Sequence, residues 1–243
     1  MGIFAHKQIP QVENIVLVHG IWADGSSWSG VIERLQKTGS TVTAVQLDLT
    51  SLSGDVARVR QALSAQTGPT ILVAHSFGGT VITALGKDTP NVVGLVYLSA
   101  FAPDQGESMK ALVTAEPQPA VGAAIRPDAQ GFLWLDRDGF VEYFAPDVNP
   151  TQARVLAAVQ KPIAVSEFMD ENPFGEPAWK SLPSWYLVTE QDQVVPPVAQ
   201  RFMAKRAGAT IREVASSHVS MISHPDVVTE LILTAAHATV HVL

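Results

Sequence analysis

Ile71-Leu72-Val73-Ala74-His75-Ser76-Phe77-Gly78-Gly79 is the stretch on which the reading of the chain turns. A run of apolar residues enters a tight small–His–Ser–Phe–Gly turn and passes directly into a helical pattern. That is the strand–turn–helix context required of a G-x-S-x-G nucleophile turn. The serine sits in a strained backbone there, so the residues two positions away must be small. Gly78 and Gly79 meet that need. Ala74 stands where the motif has its first glycine, a departure of one methyl group. A helix beginning at Phe77 would aim backbone N–H groups at an anion forming on a substrate. The competing reading is an ordinary glycine-rich strand–helix connection.

Short apolar runs followed by helical patterns recur on both sides of this turn. Residues 14–18, 42–47, 70–74, 92–98, 185–189 and 210–214 read as strands rich in Val, Ile and Leu. Near-continuous apolarity, rather than alternation, is what strands covered on both faces require. Helical patterns span 27–37, 55–66, 76–87, 198–207 and 225–236. Strand–helix alternation of this kind predicts an α/β chain with a mostly parallel sheet. The alternation stops between about 103 and 183, a proline-rich stretch with scattered aromatics and no convincing strand. So long a structureless loop is improbable in a compact domain. The expectation is therefore a helical cap at 104–181, inserted into a core formed by 1–103 and 182–243; an independent second domain is the alternative.

Composition removes other classes. The 243 residues are 47% hydrophobic and 16% charged, which excludes a disordered chain. Sixteen basic against 23 acidic residues give a net charge of −7, which argues against nucleic acid as a partner. There is no cysteine, so a thiol nucleophile, a thiolate metal site and disulfides are all excluded. No targeting pattern is read in residues 1–14 and no apolar run is long enough to span a bilayer, so the expectation is a soluble cytoplasmic protein. No G-x-G-x-x-G, G-x-x-x-x-G-K-[ST] or H-E-x-x-H occurs, and nothing calls for a cofactor or metal.

A serine hydroxyl needs a base, and the base needs an acid to hold it. Asp192 follows the strand at 185–189 and His218 follows the strand at 210–214, so both fall in loops at the sheet edge that carries Ser76. The order Ser…Asp…His is the one expected on such a sheet. Among other histidines, His6, His237 and His241 lie in terminal segments, and His19 and His75 read as packing behind turns. His224 precedes Pro225 and reads as the start of a helix. Asp104, in Pro103-Asp104-Gln105-Gly106, competes with Asp192 for the acid but reads as a turn former. After the first strand, His19-Gly20-Ile21 brings a glycine to the same edge. The N–H of Ile21 could then join that of Phe77 as the two donors of an oxyanion hole.

His19-Gly20, the turn at Ala74–Gly78, Asp192 and His218, in this order, resemble the α/β-hydrolase superfamily. With its H-G-x-W-x-D-G-S-x-W stretch, the chain is more narrowly similar to small bacterial α/β-hydrolases near the plant salicylate-ester esterases and hydroxynitrile lyases. The resemblance covers about 14–104 and 182–236. It implies Ser76 as nucleophile, His218 as general base, Asp192 as its orienting acid, and Ile21 and Phe77 as the oxyanion hole. It also implies a cofactor-free serine esterase acting on a small-molecule ester. The lyases carry threonine where Gly20 stands and lysine where Val219 stands, so ester hydrolysis is favoured over cyanide elimination. A non-catalytic small-molecule receptor on the same fold, and lactonase, perhydrolase or lyase variants of the site, stay open. The pocket is expected to draw on cap aromatics, with Phe132, Trp134, Phe140, Phe144 and Phe168 as candidates.

Overall fold

A computed structural model describes residues 11–87 and 89–240; His6 and His241 lie outside the described residues. Among the described residues the strands run, in chain order, β1 (Asn14–Val18), β2 (Thr41–Val45), β3 (Thr70–His75), β4 (Val92–Leu98), β5 (Ile125–Pro127), β6 (Phe132–Leu135), β7 (Ile163–Ala164), β8 (Ser184–Thr189) and β9 (Thr210–Val214). Six of them form one sheet in the order β2-β1-β3-β4-β8-β9, with every neighbouring pair parallel. Helices cover it: Ser29–Lys37 packs with Pro225–Ala238, and Leu52–Ser64 with Gly78–Thr83. The inner strands β3, β4 and β8 are buried at every position. The edge strands β2 and β9 are only half-buried, having one neighbour each. Because β2 and β3 lie on opposite sides of β1, the chain reverses direction across the sheet there. A crevice opens outside the carboxyl ends of β1 and β3, the usual place for a site in such sheets.

The stretch between β4 and β8 departs from the expectation of helices alone. Helices Met109–Val113, Pro150–Ala158 and Val165–Phe168 are present, but β5, β6 and β7 form a small antiparallel sheet beside them. Strands of two to four residues are too short to show a period-two pattern, which is why the sequence conceals them. Phe140–Phe144 forms a wide helical turn closed by the amide of Ala145 on the carbonyl of Phe140 at 3.0 Å. The stretch is tied to the main sheet through its backbone. The Ala164 amide donates to the Leu49 carbonyl, and the Trp22 amide to the Lys161 carbonyl, both at 2.9 Å. The Trp22 indole adds a bond to the Leu133 carbonyl at 3.0 Å. No helix among the described residues is long and apolar enough to cross a membrane.

One buried contact between this stretch and the core predicts a pH response. Asp55, fully buried, accepts from the Asp48 and Leu49 amides through Oδ1. Its Oδ2 and both oxygens of Glu167 have no amide, hydroxyl or cationic partner. The two carboxyls face each other, so they can bond only if one carries a proton. Burial, then the Asp55 charge and the nearby Asp170, push Glu167 up to about 9; burial likewise raises Asp55, with Asp48 adding repulsion. The folded state thus keeps a proton that the unfolded chain releases near 4.5. The stabilisation is complete below that value and is lost as pH rises through about 9. Melting curves should show Tm falling by up to about 3–5 °C per pH unit from this source. Glu167→Gln, whose amide donates to Asp55 without titrating, should flatten the slope relative to wild type. Parallel slopes for the two proteins would refute the shared proton.

Candidate active site

β3 ends at His75, and Ser76 follows with φ +55°, a left-handed backbone rare for a residue with a side chain. The turn is locked by its neighbours. The Ser76 amide donates to the Leu98 carbonyl at 3.2 Å, and the Ser76 carbonyl accepts from the amides of Gly79 (3.0 Å) and Phe101 (3.1 Å). A Cβ on Gly78 would lie 2.7 Å from the Val18 and His19 carbonyl oxygens, and one on Gly79 only 2.1 Å from the Phe101 carbonyl oxygen. Glycine is thus demanded at both positions by the ends of β1 and β4 pressing on the turn.

The three residues singled out from their loops meet at this turn. His218 Nε2 lies 2.8 Å from Ser76 Oγ, and His218 Nδ1 lies 2.7 Å from Asp192 Oδ2. Both side chains of the His218–Asp192 pair are fully buried. Every partner of Asp192 is a donor or can be one. Oδ1 accepts from the Val194 and Val195 amides at 2.7 and 2.9 Å. Oδ2 accepts from the Thr189 hydroxyl at 2.8 Å and the Gln200 amide at 2.9 Å, besides facing His218. Such a ring of donors fits an ionised carboxylate. It also fixes the tautomer of His218: a carboxylate cannot donate, so Nδ1 carries the proton and Nε2 is left to accept from Ser76.

Other histidines support this arrangement from behind. His75 Nε2 donates to the His218 carbonyl at 2.8 Å, and its ring centroid lies 4.5 Å from that of His218. Burial, reinforced by the His218 ring, holds its pKa well below the ordinary histidine value, so it stays neutral. The Ser99 hydroxyl donates to the same carbonyl at 3.0 Å. His19 accepts from the Leu47 amide at 2.9 Å through Nε2 and holds the Gly20 carbonyl through Nδ1 at 2.8 Å; burial lowers its pKa to about 4. Asp104 pairs with Lys180 at 2.8 Å instead of joining the site. His224 bonds the Ser223 hydroxyl at 2.9 Å.

Gly20 brings the loop after β1 against the turn: a Cβ there would lie 2.7 Å from Ser76 Cβ and 3.3 Å from the Phe77 nitrogen. Among the described residues neither the Ile21 nor the Phe77 amide donates to another protein group. A cavity of about 180 Å³ opens beside Ser76, walled by Ile21, Phe101, Leu112, Val121, Phe168 and Val194. Of the aromatics considered, Phe168 lines it. Phe140 and Phe144 face a separate void of about 20 Å³, and the Phe144 ring stands edge-on to His218 at 5.2 Å. Trp134 is on β6, its indole donating to Asp128 at 2.8 Å, and Phe132 lies on the same strand; the structure brings neither to the cavity. Phe101 and the aliphatic wall lie outside the cap aromatics expected from the sequence: Phe101 precedes the cap, marked only by its position just past β4, and the aliphatic residues look like core. No group of three or more His, Asp or Glu among the described residues could hold a metal ion.

Comparisons with known proteins agree with this architecture. Methylesterase 7 of Arabidopsis thaliana is 27% identical, over 92% of this chain and 96% of its own. The alpha/beta hydrolase nvfD of Aspergillus novofumigatus is 26% identical, over 94% and 98%. The crystal structure of a pyrethroid hydrolase from Sphingobium faniae JZ-2 superposes with a TM-score of 0.80 at 24% identity, covering 93% of this chain and 98% of that one, which is a likeness of fold. The sequence model of the alpha/beta hydrolase family matches residues 15–231, and the chain belongs to that family.

Proposed function

We propose that the protein is a serine esterase that cleaves small, apolar carboxylic esters through an acyl-enzyme on Ser76. The observation that carries this is the unbroken relay from Asp192 through His218 to Ser76 at 2.7 and 2.8 Å. A relative named as a methylesterase over nearly the whole chain supports the same reaction class. In this reading Ser76 Oγ attacks the ester carbonyl as His218 Nε2 takes its proton, and Asp192 stabilises the imidazolium. The amides of Ile21 and Phe77 receive the negative oxygen. His218 then protonates the leaving alcohol and activates water to release the acid. The core, residues 1–103 and 182–243, carries the reacting groups. Residues 104–181 act as a cap whose Leu112, Val121 and Phe168 close the apolar cavity. Such walls favour uncharged acyl groups, since a buried unpaired charge would be costly.

The test is a fluorophosphonate probe followed by peptide mapping, with a panel of p-nitrophenyl esters alongside. The reading expects one adduct, on the peptide bearing Ser76, and turnover of acetate and butyrate esters. An adduct elsewhere, or no adduct and no turnover, overturns it; the latter outcome favours a receptor on this fold. Gly20→Ala is a second check. Its Cβ must displace either the turn or the loop that carries the Ile21 amide. Misplacing one such donor is worth about 3–4 kcal/mol, so kcat should drop by about 10²–10³-fold. Unchanged kcat would remove Ile21 from the oxyanion hole.

A further inference from the structure

The loop that carries His218 leaves an edge strand, so the sheet supports it from one side only. On that side the Glu190 amide reaches the Val214 carbonyl at 2.9 Å, and the Gln191 amide reaches the Ser216 carbonyl at 3.1 Å. Just beyond, the His218 carbonyl is pinned by His75 and Ser99. The amide side of His218 is held differently, by a carboxylate from the stretch between β4 and β8. Asp147 Oδ2 accepts from the Ser217 amide at 2.9 Å and from the Ser216 hydroxyl at 3.3 Å, and its Oδ1 accepts a short bond from the Ser217 hydroxyl. Three residues earlier, Phe144 packs edge-on against the His218 ring itself. One short segment therefore touches the imidazole and also grips the residue before it.

We propose that Asp147 is a positioning residue that acts through Ser217 to hold His218 in line with Ser76. The inference rests on the serine-esterase reading of the site and assigns part of the alignment of its base to the cap. The rest of the surroundings fit a carboxylate in this place. Its side chain is 24% exposed, and His224 Nδ1 lies 3.9 Å from its Oδ2. The Ser223 hydroxyl bridges the Ser216 hydroxyl at 3.1 Å and His224 Nδ1 at 2.9 Å. Burial alone would raise the Asp147 carboxyl, but the donors from Ser217, Ser223 and Ser216 outweigh it and hold it below its ordinary value. Removing the side chain leaves the Ser217 amide and hydroxyl without their acceptors. The loop then relaxes about an imidazole that must stay in reach of Ser76.

The experiment compares Asp147→Ala, Asp147→Asn, Ser217→Ala and the Asp147→Ala/Ser217→Ala double variant on a p-nitrophenyl butyrate assay and on the rate of fluorophosphonate labelling. Misalignment of this kind costs about 10²-fold. The expected result is kcat and labelling rate falling in step in Asp147→Ala, with KM within about two-fold. Asp147→Asn, which can still accept from the Ser217 amide, should recover most of the loss, and the double variant should be no slower than Asp147→Ala alone. Wild-type kcat in both Asp147 variants, a rise in KM alone, or losses that add independently in the double variant would each overturn the proposal. Should Asp147→Ala fail to fold, Ser217→Ala carries the test: kcat and labelling rate should fall in step with KM within about two-fold, and wild-type values of both overturn the proposal. A Ser76→Ala protein that still turns over esters overturns the parent reading instead, so the two failures are distinguishable.

Discussion

Ser76→Ala is expected to lower kcat for p-nitrophenyl butyrate by about 10⁶-fold, to the level left by the oxyanion donors and the cavity alone. The loss should be this large because, among the described residues, Ser76 carries the one hydroxyl that lines the cavity. The chain has no cysteine, and the walls beside Ser76 are chiefly aliphatic and aromatic. The variant should fold normally, since among the described residues Oγ bonds to His218 alone, while the backbone of the turn is held by Leu98, Gly79 and Phe101. Fluorophosphonate should leave it unlabelled. Ser76→Gly sharpens the test, because glycine adopts φ +55° without the penalty of about 1–2 kcal/mol carried by other residues. Its melting temperature should therefore rise as its activity disappears. Activity retained by either variant moves the chemistry away from Ser76.

How far the sequence reaches can be judged from particular elements. The inner strands β3, β4 and β8 are wholly buried, and wholly buried strands announce themselves as unbroken Val, Ile and Leu runs. Gly78 and Gly79 were legible as small neighbours of Ser76, but the carbonyls that exclude a side chain there, from Val18, His19 and Phe101, come from the end of β1 and the segments just past β1 and β4. Loop position sufficed to put Asp192 and His218 at one edge, since consecutive parallel strands bring their carboxyl ends together. What stayed hidden is whatever arises between distant segments with no period of its own. The strands β5 to β7 are too short to show alternation. The cavity wall is drawn from aliphatic residues that look like core. The pair Asp55 and Glu167, and the hold of Asp147 on Ser217, join residues 112 and 70 positions apart whose types alone suggest a solvated surface.

Asp192→Asn should lower kcat by about 10⁴-fold with KM little altered. The donors around the carboxylate decide where an amide can sit. An asparagine has one accepting oxygen and one donating amide. If the amide takes the Oδ1 position it confronts the Val194 and Val195 N–H groups, both donors without an alternative at that spot. The Oδ2 position is then the less costly place for it, because the Thr189 hydroxyl can rotate to accept and give its hydrogen to Gln200 Oε1, which leaves the Gln200 amide as the one donor opposed instead of two. With the amide there, His218 Nδ1 must accept rather than donate, and the proton moves to Nε2. Nε2 then points a hydrogen at Ser76 Oγ and can no longer take one from it. The geometry survives while the base is lost. A crystal structure of the variant should superpose on wild type at Ser76 and His218, and labelling should slow in proportion to kcat. Rates within ten-fold of wild type would mean that Asp192 does not set the tautomer and that His218 draws its orientation from His75, Ser99 and the Ser217 loop instead.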